Sequence, residues 1–575
     1  MNALREIVSG VVLFWLAACC ASAAEPTTRP AADADGASQT RPVRTQAGIT
    51  LSRETTYVTG PLNDDGTVNY VEYLNRKHSK GVTPETNAAV GLLKVLGPEM
   101  IVEETRAETF KRLGMDPLPA EGEYFVHLST YVEALPADRK PRGAAGAEAA
   151  KKKRQELQER IEAGGPDAAE AWEELWALPE SPETPADIVE QRREQAMEGP
   201  WTAEQYPILA DWLEANAGAL DGIVAASKRP RYYVPLVSLA EPAQIIDTLL
   251  PALNSLRTVA RALRTRAMLR WGGGDVRGAW ADLLAMRRLA RLLCQDATLI
   301  AHLMGIATEA VGADGMQRLG TAGALEPADA RHLLAEVRTL EPLPDIRNAI
   351  ANERFMMLDC IMMMARGCPP RRFLRNLQTM REWPPAAGNG LSLDYNLMLR
   401  RINEMWNWYL NCLRIEDRAE RDAALQRFED WLIQTKLTFA GDRLATAGAV
   451  ISSALSVKRR TEVVTNLLVS VLMPTLGRAT VLWQRANADG AVTLGATVLA
   501  AYHAETGAYP DKLAALTPTY LQAVPTDPFT GEPLIYKRTD AGYVLYSVGE
   551  NLDDDGGIDA YDTGDIAVTV DAEAR

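Results

Sequence analysis

The sequence is poor in the residues on which metal centres and nucleophilic active sites usually depend. Its 575 residues include five histidines and six cysteines, and none of them has Cys-x-x-Cys or His-Glu-x-x-His spacing. Because a zinc site needs three or four such side chains to converge, we do not expect one here. The Gly-x-Ser-x-Gly motif of many hydrolases is absent as well, so no familiar motif argues for an enzyme.

Aromatic residues are also scarce, at 6% of the chain, and alanine supplies much of the 47% that is apolar. This composition favours helices packed through small side chains over a β-sandwich. A chain of this length exceeds what one compact core usually organises, so we expect two or three domains. The formal net charge of −15 repels phosphate backbones, and we therefore do not expect nucleic acid as a partner.

The N-terminus has the composition of an export signal. A short head is followed by an apolar run from Ile7 to Ala18, which is too short to span a bilayer stably. The run ends in Leu-Ala-Ala-Cys at 16–19, which resembles the cleavage motif of bacterial lipoproteins. That resemblance implies a lipid on Cys19, a location in the periplasm or cell envelope, and membrane contact through the lipid. Cleavage by an ordinary signal peptidase near Ala21–Ala23 is the alternative.

Composition divides the rest of the chain into segments. Residues 25–48 contain no aromatic side chain and bury too little apolar area to fold, which suits a flexible tether. Alanine, lysine, arginine and glutamate dominate 137–200, which is typical of a solvated charged helix. We predict a signal peptide at 1–18, a disordered tether at 19–48, a small mixed region at 49–136, a charged helical insertion at 137–200, a helical domain at 201–459 and a C-terminal domain at 460–575.

Two local patterns stand out in the small mixed region. Thr55-Thr56-Tyr57-Val58 has the β propensity of a short strand. Thr83-Pro84 is typical of a helix start, and Gly97-Pro98 is typical of a stop, so we predict a helix from Thr83 to Leu96.

Four cysteines follow the export signal, and their state depends on the compartment. They are Cys294, Cys360, Cys368 and Cys412. In an oxidising compartment they allow two disulfides in three possible connectivities, and Cys360 and Cys368 are close enough in sequence to be one pair. The alternative is that they are simply buried as small apolar residues.

The region 201–459 has the periodicity of successive helices, interrupted by three glycines at 272–274. Residues 263–289 resemble one hairpin of the tetratricopeptide family, which stacks such hairpins to bind peptides. No second copy follows at the repeat period, so we do not expect an array. Helices are predicted over 244–269, 276–293 and 345–365.

Charged side chains on two of these helices bear on function. Arg257, Arg261 and Arg264 share one helix face, where they cradle an acidic ligand, form ion pairs between helices or face water. Glu353 lies on the apolar stripe of the 345–365 helix, and a buried carboxylate is a candidate acid or base. Neutralisation of Glu353 by a neighbouring arginine is the alternative.

The C-terminal part carries several motifs in order. A long helical pattern is followed by Gly-Ala-Tyr-Pro at 507–510, by Asp-Pro-Phe-Thr-Gly at 527–531, and by two β-rich runs predicted to form a hairpin about Asp540–Gly542. This order resembles the major pseudopilin of type II secretion over about 466–567. The resemblance implies a long helix, a small antiparallel sheet and a calcium loop. The pseudopilin processing motif Gly-Phe-Thr-Leu-Ile-Glu is missing, so we infer the fold and not assembly into a pilus.

The acidic loop after this hairpin is the predicted metal site. Its side chains have oxygens at positions 1, 3, 5, 9 and 12 of an EF-hand loop, with glycine at position 6. The pseudopilin resemblance also implies calcium ligands at Asn551, at Asp565 and at the carbonyl of Val548. A solvated acidic tail is the alternative, and the flanking strand and loop argue against a true EF-hand. We predict a structural calcium ion with the ligands Asn551, Asp553, Asp555, Asp559, Asp562 and Asp565.

The expected function follows more from location than from chemistry. The leading interpretation is a mainly α protein of helical hairpins, with a small α+β pseudopilin-like C-terminal domain, that binds or scaffolds other proteins in the cell envelope. No catalytic residue is assigned. The alternatives are an envelope hydrolase that uses carboxylates such as Glu353, and a solute-binding lipoprotein. A deep cleft lined by clustered acids with shifted pKa values favours the enzyme, and an exposed concave apolar face favours the scaffold.

Overall fold

Helices make up most of the structure. The computed structural model describes residues 48–141, 147–163, 174, 184–248, 252–322, 325–367, 392–440, 456–473, 476–540, 542–558 and 564–570. These residues form 17 α-helices and are 60% helical, with a small antiparallel sheet near the C-terminus, which confirms the predicted mainly α fold with a small β part. No helix in the described part of the chain is long and apolar enough to cross a membrane. The predicted signal peptide, Cys19 and nearly all of the tether lie outside the described residues.

The N-terminal helices surround a core to which residues near Ile49 also contribute. Helix α2 begins at Ala88, later than the predicted start at Thr83, because the Asn87 side chain accepts a hydrogen bond from the N–H of Ala89. It ends before Gly97, as predicted. The helices are α1 (Tyr70–His78), α2 (Ala88–Leu96), α3 (Glu103–Leu113), α4 (Leu128–Ala134), α5 (Ala147–Ala163), α6 (Pro185–Ala196), α7 (Pro207–Ala215) and α8 (Ala217–Ala226).

The strand predicted at Thr55–Val58 is wrong. The N–H groups of Thr56 and Tyr57 both donate to the carbonyl of Ser52, 3.0 Å away, and close a turn. Tyr57 has a φ of 64°, which no strand allows. Local hydroxyl groups outweigh the β propensity of this segment, since Ser52 Oγ and Thr55 Oγ1 also lie 2.9 Å apart.

The central helices form the layer on which the rest of the molecule packs. Helix α10 coincides with the prediction and α13 starts two residues later than predicted. Helix α9 starts at Ala252 and not at 244, and a 3₁₀ turn occupies Ile245–Asp247. Glycines on α11 bring it close to α10, because a Cβ on Gly305 would lie only 2.7 Å from the carbonyl oxygen of Ala290. The helices are α9 (Ala252–Gly272), α10 (Val276–Leu293), α11 (Leu299–Thr321), α12 (Pro327–Val337) and α13 (Arg347–Ala365).

The next helices contain an aromatic core. Trp406 and Tyr409 are buried in α14, whereas Trp408 lies on the surface with 39% of its area exposed. Its ring centroid is 5.6 Å from that of Trp431 on the following helix. These helices are α14 (Tyr395–Cys412), α15 (Arg418–Ala440) and α16 (Val457–Leu472).

The long helix α17 (Leu476–Thr506) joins the C-terminal sheet to the central layer. It packs on strands β2 and β3 and also on α11 and α12. The Gln317 side chain donates to Thr493 Oγ1 at 2.9 Å, and Arg331 pairs with Glu505 at 2.8 Å. The predicted hairpin is present, and the antiparallel sheet has the order β1 (Ile535–Arg538), β2 (Tyr543–Ser547), β3 (Ile566–Val570).

Candidate functional site

Ion pairs occupy the arginine face noted in the sequence. Arg261 pairs with Glu190 at 2.8 Å, and Arg264 pairs with Asp314 at 2.7 Å. For these two arginines the expectation of ion pairs between helices is therefore confirmed. Glu309 is likewise engaged, because its carboxylate lies 2.7 Å from Arg287 and 2.6 Å from Arg291. Such pairs leave no carboxylate available for proton transfer.

Glu353 on α13 differs from these paired acids. Its Oε1 accepts a hydrogen bond from the backbone N–H of Leu299 at 3.1 Å. Within the described residues, no lysine or arginine pairs with its carboxylate. Desolvation raises the pKa of Glu353 to about 7, and the Leu299 N–H only partly offsets this rise. The side chain nevertheless keeps some exposure to solvent, so it is a desolvated acid within reach of water.

A second carboxylate, Asp296, lies at the same helix end. Its Oδ1 accepts hydrogen bonds from the N–H and the hydroxyl of Thr298, at 2.9 and 2.8 Å. Thr298 is the N-cap of α11, and Leu299 is the first residue of that helix. Desolvation raises the pKa of Asp296 to about 6 in spite of these bonds. Adjacent backbone amides therefore hold two acids whose pKa values both lie near neutrality.

The side chain of Asn352 connects this helix end to α1. Lys77 Nζ donates to Asn352 Oδ1 at 2.7 Å, and Asn352 Nδ2 donates to the carbonyl of Ala297 at 2.8 Å. The same Nδ2 lies 3.1 Å from Nε2 of His78. Desolvation, followed by the charge of Lys77, lowers the pKa of His78 to about 4, so the neutral ring accepts this bond.

The resulting site consists of Lys77, His78, Asp296, Asn352 and Glu353. We call it the α11 cap site. Burial also lowers the pKa of Lys77, so the site contains groups whose ionisation the protein has altered. Groups of this kind provide general acid–base chemistry when their pKa values lie near the working pH.

Sequence reasoning identified Glu353 and missed the other members of the α11 cap site. Asp296 carries a local signal, because an aspartate two residues before a threonine N-cap is typical of a helix start. Lys77 and His78 carry none, because they lie more than 200 residues away in sequence and only the fold brings them to α11.

His302 and Glu309 share a face of α11 but do not act together. Glu309 is held by its two arginines. His302 is fully buried, and neither ring nitrogen has a hydrogen-bond partner among the described residues. Desolvation lowers its pKa to about 4, so it packs as a neutral ring.

The predicted calcium ligands are only partly described. Asp559 and Asp562 lie outside the described residues. Asn551 Nδ2 donates to Asp555 Oδ2 at 2.9 Å, and Asp553 is exposed nearby. Within the described part of the chain, no group of three or more histidine, cysteine or acidic residues is arranged to hold a metal ion. The loop lies between strands β2 and β3, and not between two helices.

Asp565 is the member of this loop with an unsatisfied oxygen. The residue is fully buried, and its Oδ2 accepts a hydrogen bond from the N–H of Gly557 at 2.6 Å. Its Oδ1 is buried without a partner among the described residues. Desolvation raises the pKa of Asp565, and the negative charges of Asp555 and Asp554 add to the rise. A buried anion with a free oxygen beside further carboxylates fits a bound cation.

The neighbouring Asp554 is used differently. Its Oδ1 accepts a hydrogen bond from the Tyr546 hydroxyl at 2.6 Å and lies 3.4 Å from Lys537 Nζ. This aspartate is therefore committed to the sheet and is not a free ligand.

The described cysteines are not cross-linked. Cys294, Cys360 and Cys412 are buried free thiols, as expected if they pack as small apolar residues. Cys368 lies outside the described residues. Burial raises the pKa of the Cys294 and Cys360 thiols, which keeps them protonated and unreactive.

Comparisons of the chain with models of known families, with curated proteins and with solved structures found no match.

Proposed function

We propose that this protein is an exported, lipid-anchored envelope protein whose α11 cap site performs acid–base hydrolysis. The observation that carries the proposal is the desolvated Glu353 carboxylate, which has a pKa of about 7 and no cationic partner in the described residues. Clustered acids with shifted pKa values are one part of what was expected of the hydrolase alternative, and a deep cleft around them was the other part. We therefore prefer that alternative to the protein-binding scaffold and to the solute-binding lipoprotein, which stay predictions.

The two carboxylates divide the chemistry according to their pKa values. Near pH 7 the Asp296 carboxyl, with a pKa of about 6, is mostly ionised and accepts a proton from the attacking water. Glu353, with a pKa of about 7, is about half protonated and donates its proton to the leaving group. Water supplies OH to one product and the proton to Asp296. Transfer of that proton to Glu353 through solvent then restores the site.

The other side chains position these acids and do not transfer protons. Asn352 lies beside Glu353 on α13, and its hydrogen bonds to Lys77 and Ala297 tie that helix to α1 and to the start of α11. His78 accepts from Asn352 and so helps to orient its amide. The Lys77 ammonium, which is exposed and donates to Asn352, places a positive charge beside the two acids and so favours substrates with an anionic group.

The proposal is tested with a panel of 4-nitrophenyl esters, glycosides and phosphates across pH 4–9. We expect turnover with a bell-shaped pH profile whose limbs fall near the pKa values of about 6 for Asp296 and about 7 for Glu353. Glu353→Gln should lower kcat/KM roughly 10²- to 10⁴-fold and remove the alkaline limb. The control variant is Glu341→Gln, which removes an exposed carboxylate at a distance.

Two outcomes contradict the hydrolase. One is full activity in Glu353→Gln. The other is no turnover of any panel substrate by the wild-type protein. In that case the protein-binding scaffold becomes the preferred function.

We further propose that the loop at 551–565 binds a structural calcium ion. Of the predicted ligands, Asn551, Asp555 and Asp565 are supported by their mutual proximity and by the unpartnered Asp565 Oδ1. When bound, calcium supplies positive charge that offsets the buried carboxylate and holds the loop against the sheet. It takes no part in the hydrolysis.

A further inference from the structure

Arg354 is a buried arginine without a counterion. Only 1% of its surface is exposed. Its Nη2 donates to Asn407 Oδ1 at 2.9 Å, but Nε and Nη1 are buried and have no hydrogen-bond partner among the described residues. No carboxylate in the described part of the chain pairs with it. An isolated buried guanidinium is costly, so this arrangement calls for an anion.

The other buried arginines of the central layer show what Arg354 lacks. Arg266 pairs with the buried Asp282 at 2.6 Å, and Arg287 pairs with the buried Glu309 at 2.7 Å. Arg264, which is 2% exposed, reaches Asp314 at 2.7 Å. The protein therefore neutralises its buried guanidinium groups with carboxylates, and Arg354 is an exception among the residues described.

More positive charge surrounds Arg354. Its Cζ lies 4.0 Å from the centroid of the Tyr57 ring, and Arg53 Cζ lies 5.9 Å from the same ring. Desolvation lowers the pKa of Arg354, the Tyr57 side chain offsets part of this shift, and the charges of Arg414 and Arg53 lower the pKa further. Neither Arg53 nor Arg414 forms an ion pair with another described residue. Three guanidinium groups thus lie in one region, and none of them is paired with a carboxylate in the described part of the chain.

This region borders solvent and includes a strained residue. Arg53, Asn407 and Arg414 are exposed and Tyr57 is partly exposed, so the side chains around Arg354 are open to solvent. Tyr57 has a φ of 64°, a left-handed conformation that is unfavourable for a tyrosine. Asn403 Nδ2 holds the preceding turn by donating to the carbonyl of Thr55 at 2.6 Å. Backbone strain of this kind is often found at ligand clamps.

We infer that Arg53, Arg354 and Arg414, together with Asn407, form a binding site for a multiply charged oxyanion, the phosphate group of a small molecule or free phosphate. Guanidinium groups bind such oxyanions through paired N–H donors. Three guanidinium groups carry three positive charges, so they match a doubly charged phosphate better than they match a singly charged carboxylate. Helix α13 presents Arg354 to α14 and Glu353 to α11, so this site is separate from the α11 cap site and does not depend on the proposed hydrolysis.

Isothermal titration with inorganic phosphate at constant ionic strength tests the inference on the purified protein. We expect one phosphate per chain. Because Arg53 and Arg414 are exposed, the variant Arg53→Ala/Arg414→Ala should fold normally and bind phosphate about tenfold or more weakly. The matched control is Arg192→Ala/Arg338→Ala, which removes two exposed arginines from α6 and from the end of α12 and should bind like the wild type.

A second variant addresses Arg354 itself. Arg354→Lys keeps one positive charge but removes the planar pair of donors, and we expect a further loss of phosphate affinity of about tenfold. Circular dichroism shows whether it is folded, and if it is not, the exposed pair of arginines decides the question. Titration with a methyl phosphate in place of free phosphate separates the two sources of the ligand group.

The inference is overturned by any of three results. These are no phosphate binding by the wild-type protein, equal affinities in the wild type and in Arg53→Ala/Arg414→Ala, and binding of acetate as tight as that of phosphate.

Discussion

At the scale of single residues, buried charges that are paired have a structural role, whereas buried charges without a partner are candidates for function. Asp282 and Glu309 are fully buried, and arginines neutralise both. Glu353, like Asp296, is an acid whose ionised form no cation stabilises in the described residues, and Arg354 is a buried cation that no described carboxylate neutralises. Glu353 and Arg354 are adjacent in sequence, yet they face different helices. Unpaired buried charges lower stability, so they are informative where they persist.

The raised pKa of Glu353 predicts a specific dependence of stability on pH. The folded protein retains a proton that the unfolded chain loses between the ordinary glutamate pKa of 4.5 and the folded value of about 7. The corresponding stabilisation is complete below pH 4.5 and is lost as the pH rises through 7. Glu353→Gln avoids this loss, so its stability relative to the wild type should increase by on the order of 3 kcal/mol between pH 4 and pH 8.

Urea unfolding at several pH values measures this difference. Glu341→Gln controls for the removal of one negative charge. A constant difference between Glu353→Gln and the wild type from pH 4 to 8 would show that Glu353 ionises normally.

At the scale of helices, strands and loops, local pattern predicted the helical class, several individual helices and the C-terminal hairpin. Helix α10 was predicted at both ends because Asp275 caps its start after a glycine run. The hairpin of β1 and β2 followed from alternating β-branched and aromatic residues about a turn. Thr55–Val58 failed because its hydroxyl groups form a turn that outweighs β propensity. A short polar segment can adopt several backbone conformations of similar energy, and its packing in the fold selects one of them.

The acidic loop provides a prediction at this scale. Calcium should raise the melting temperature of the wild-type protein by a few degrees relative to chelator, because an ion at about 100 times its Kd stabilises the folded state by roughly 2.7 kcal/mol. Asp553→Asn/Asp555→Asn should lose this response, since Asp555 lies beside Asn551 and its charge acts on Asp565.

The adjacent Asp554 supplies the control. Asp554→Asn removes one negative charge from the same loop, where the double variant removes two, and it alters contacts to Tyr546 and Lys537. It should lower the melting temperature and still respond to calcium. Identical melting of the wild type with calcium and with chelator would contradict the calcium site.

At the scale of the whole molecule, the C-terminal sheet and the central helices are one packed body. Helix α17 comes close to the central layer at Gly490. A Cβ at this position would lie only 3.3 Å from Arg287 Nη2, so the glycine leaves room for the close approach. The helix thus passes directly over the buried Arg287–Glu309 pair while its other half supports β2 and β3. Nothing in the composition near residue 460 indicates this contact.

The proposed lipid anchor makes a prediction about the location of the whole molecule. When the protein is produced in a bacterium with labelled fatty acid, the label and the membrane association should be present in the wild type and absent in Cys19→Ser. Cys20→Ser is the matched control, because it changes the neighbouring cysteine and leaves the motif at 16–19 intact. Retention of label and membrane association by Cys19→Ser would contradict the anchor at that position.

Local sequence was sufficient for the helical character, for the positions of individual helices such as α10 and α13, for the C-terminal hairpin and for Glu353 as a candidate acid, because periodicity and capping act over a few residues. The rest of the α11 cap site required the tertiary structure. Lys77 and His78 reach Asn352 across more than 270 residues, and Arg53 reaches Arg354 across about 300. The pKa values depend on the same packing, since desolvation is a property of the folded surroundings and not of the side chain itself.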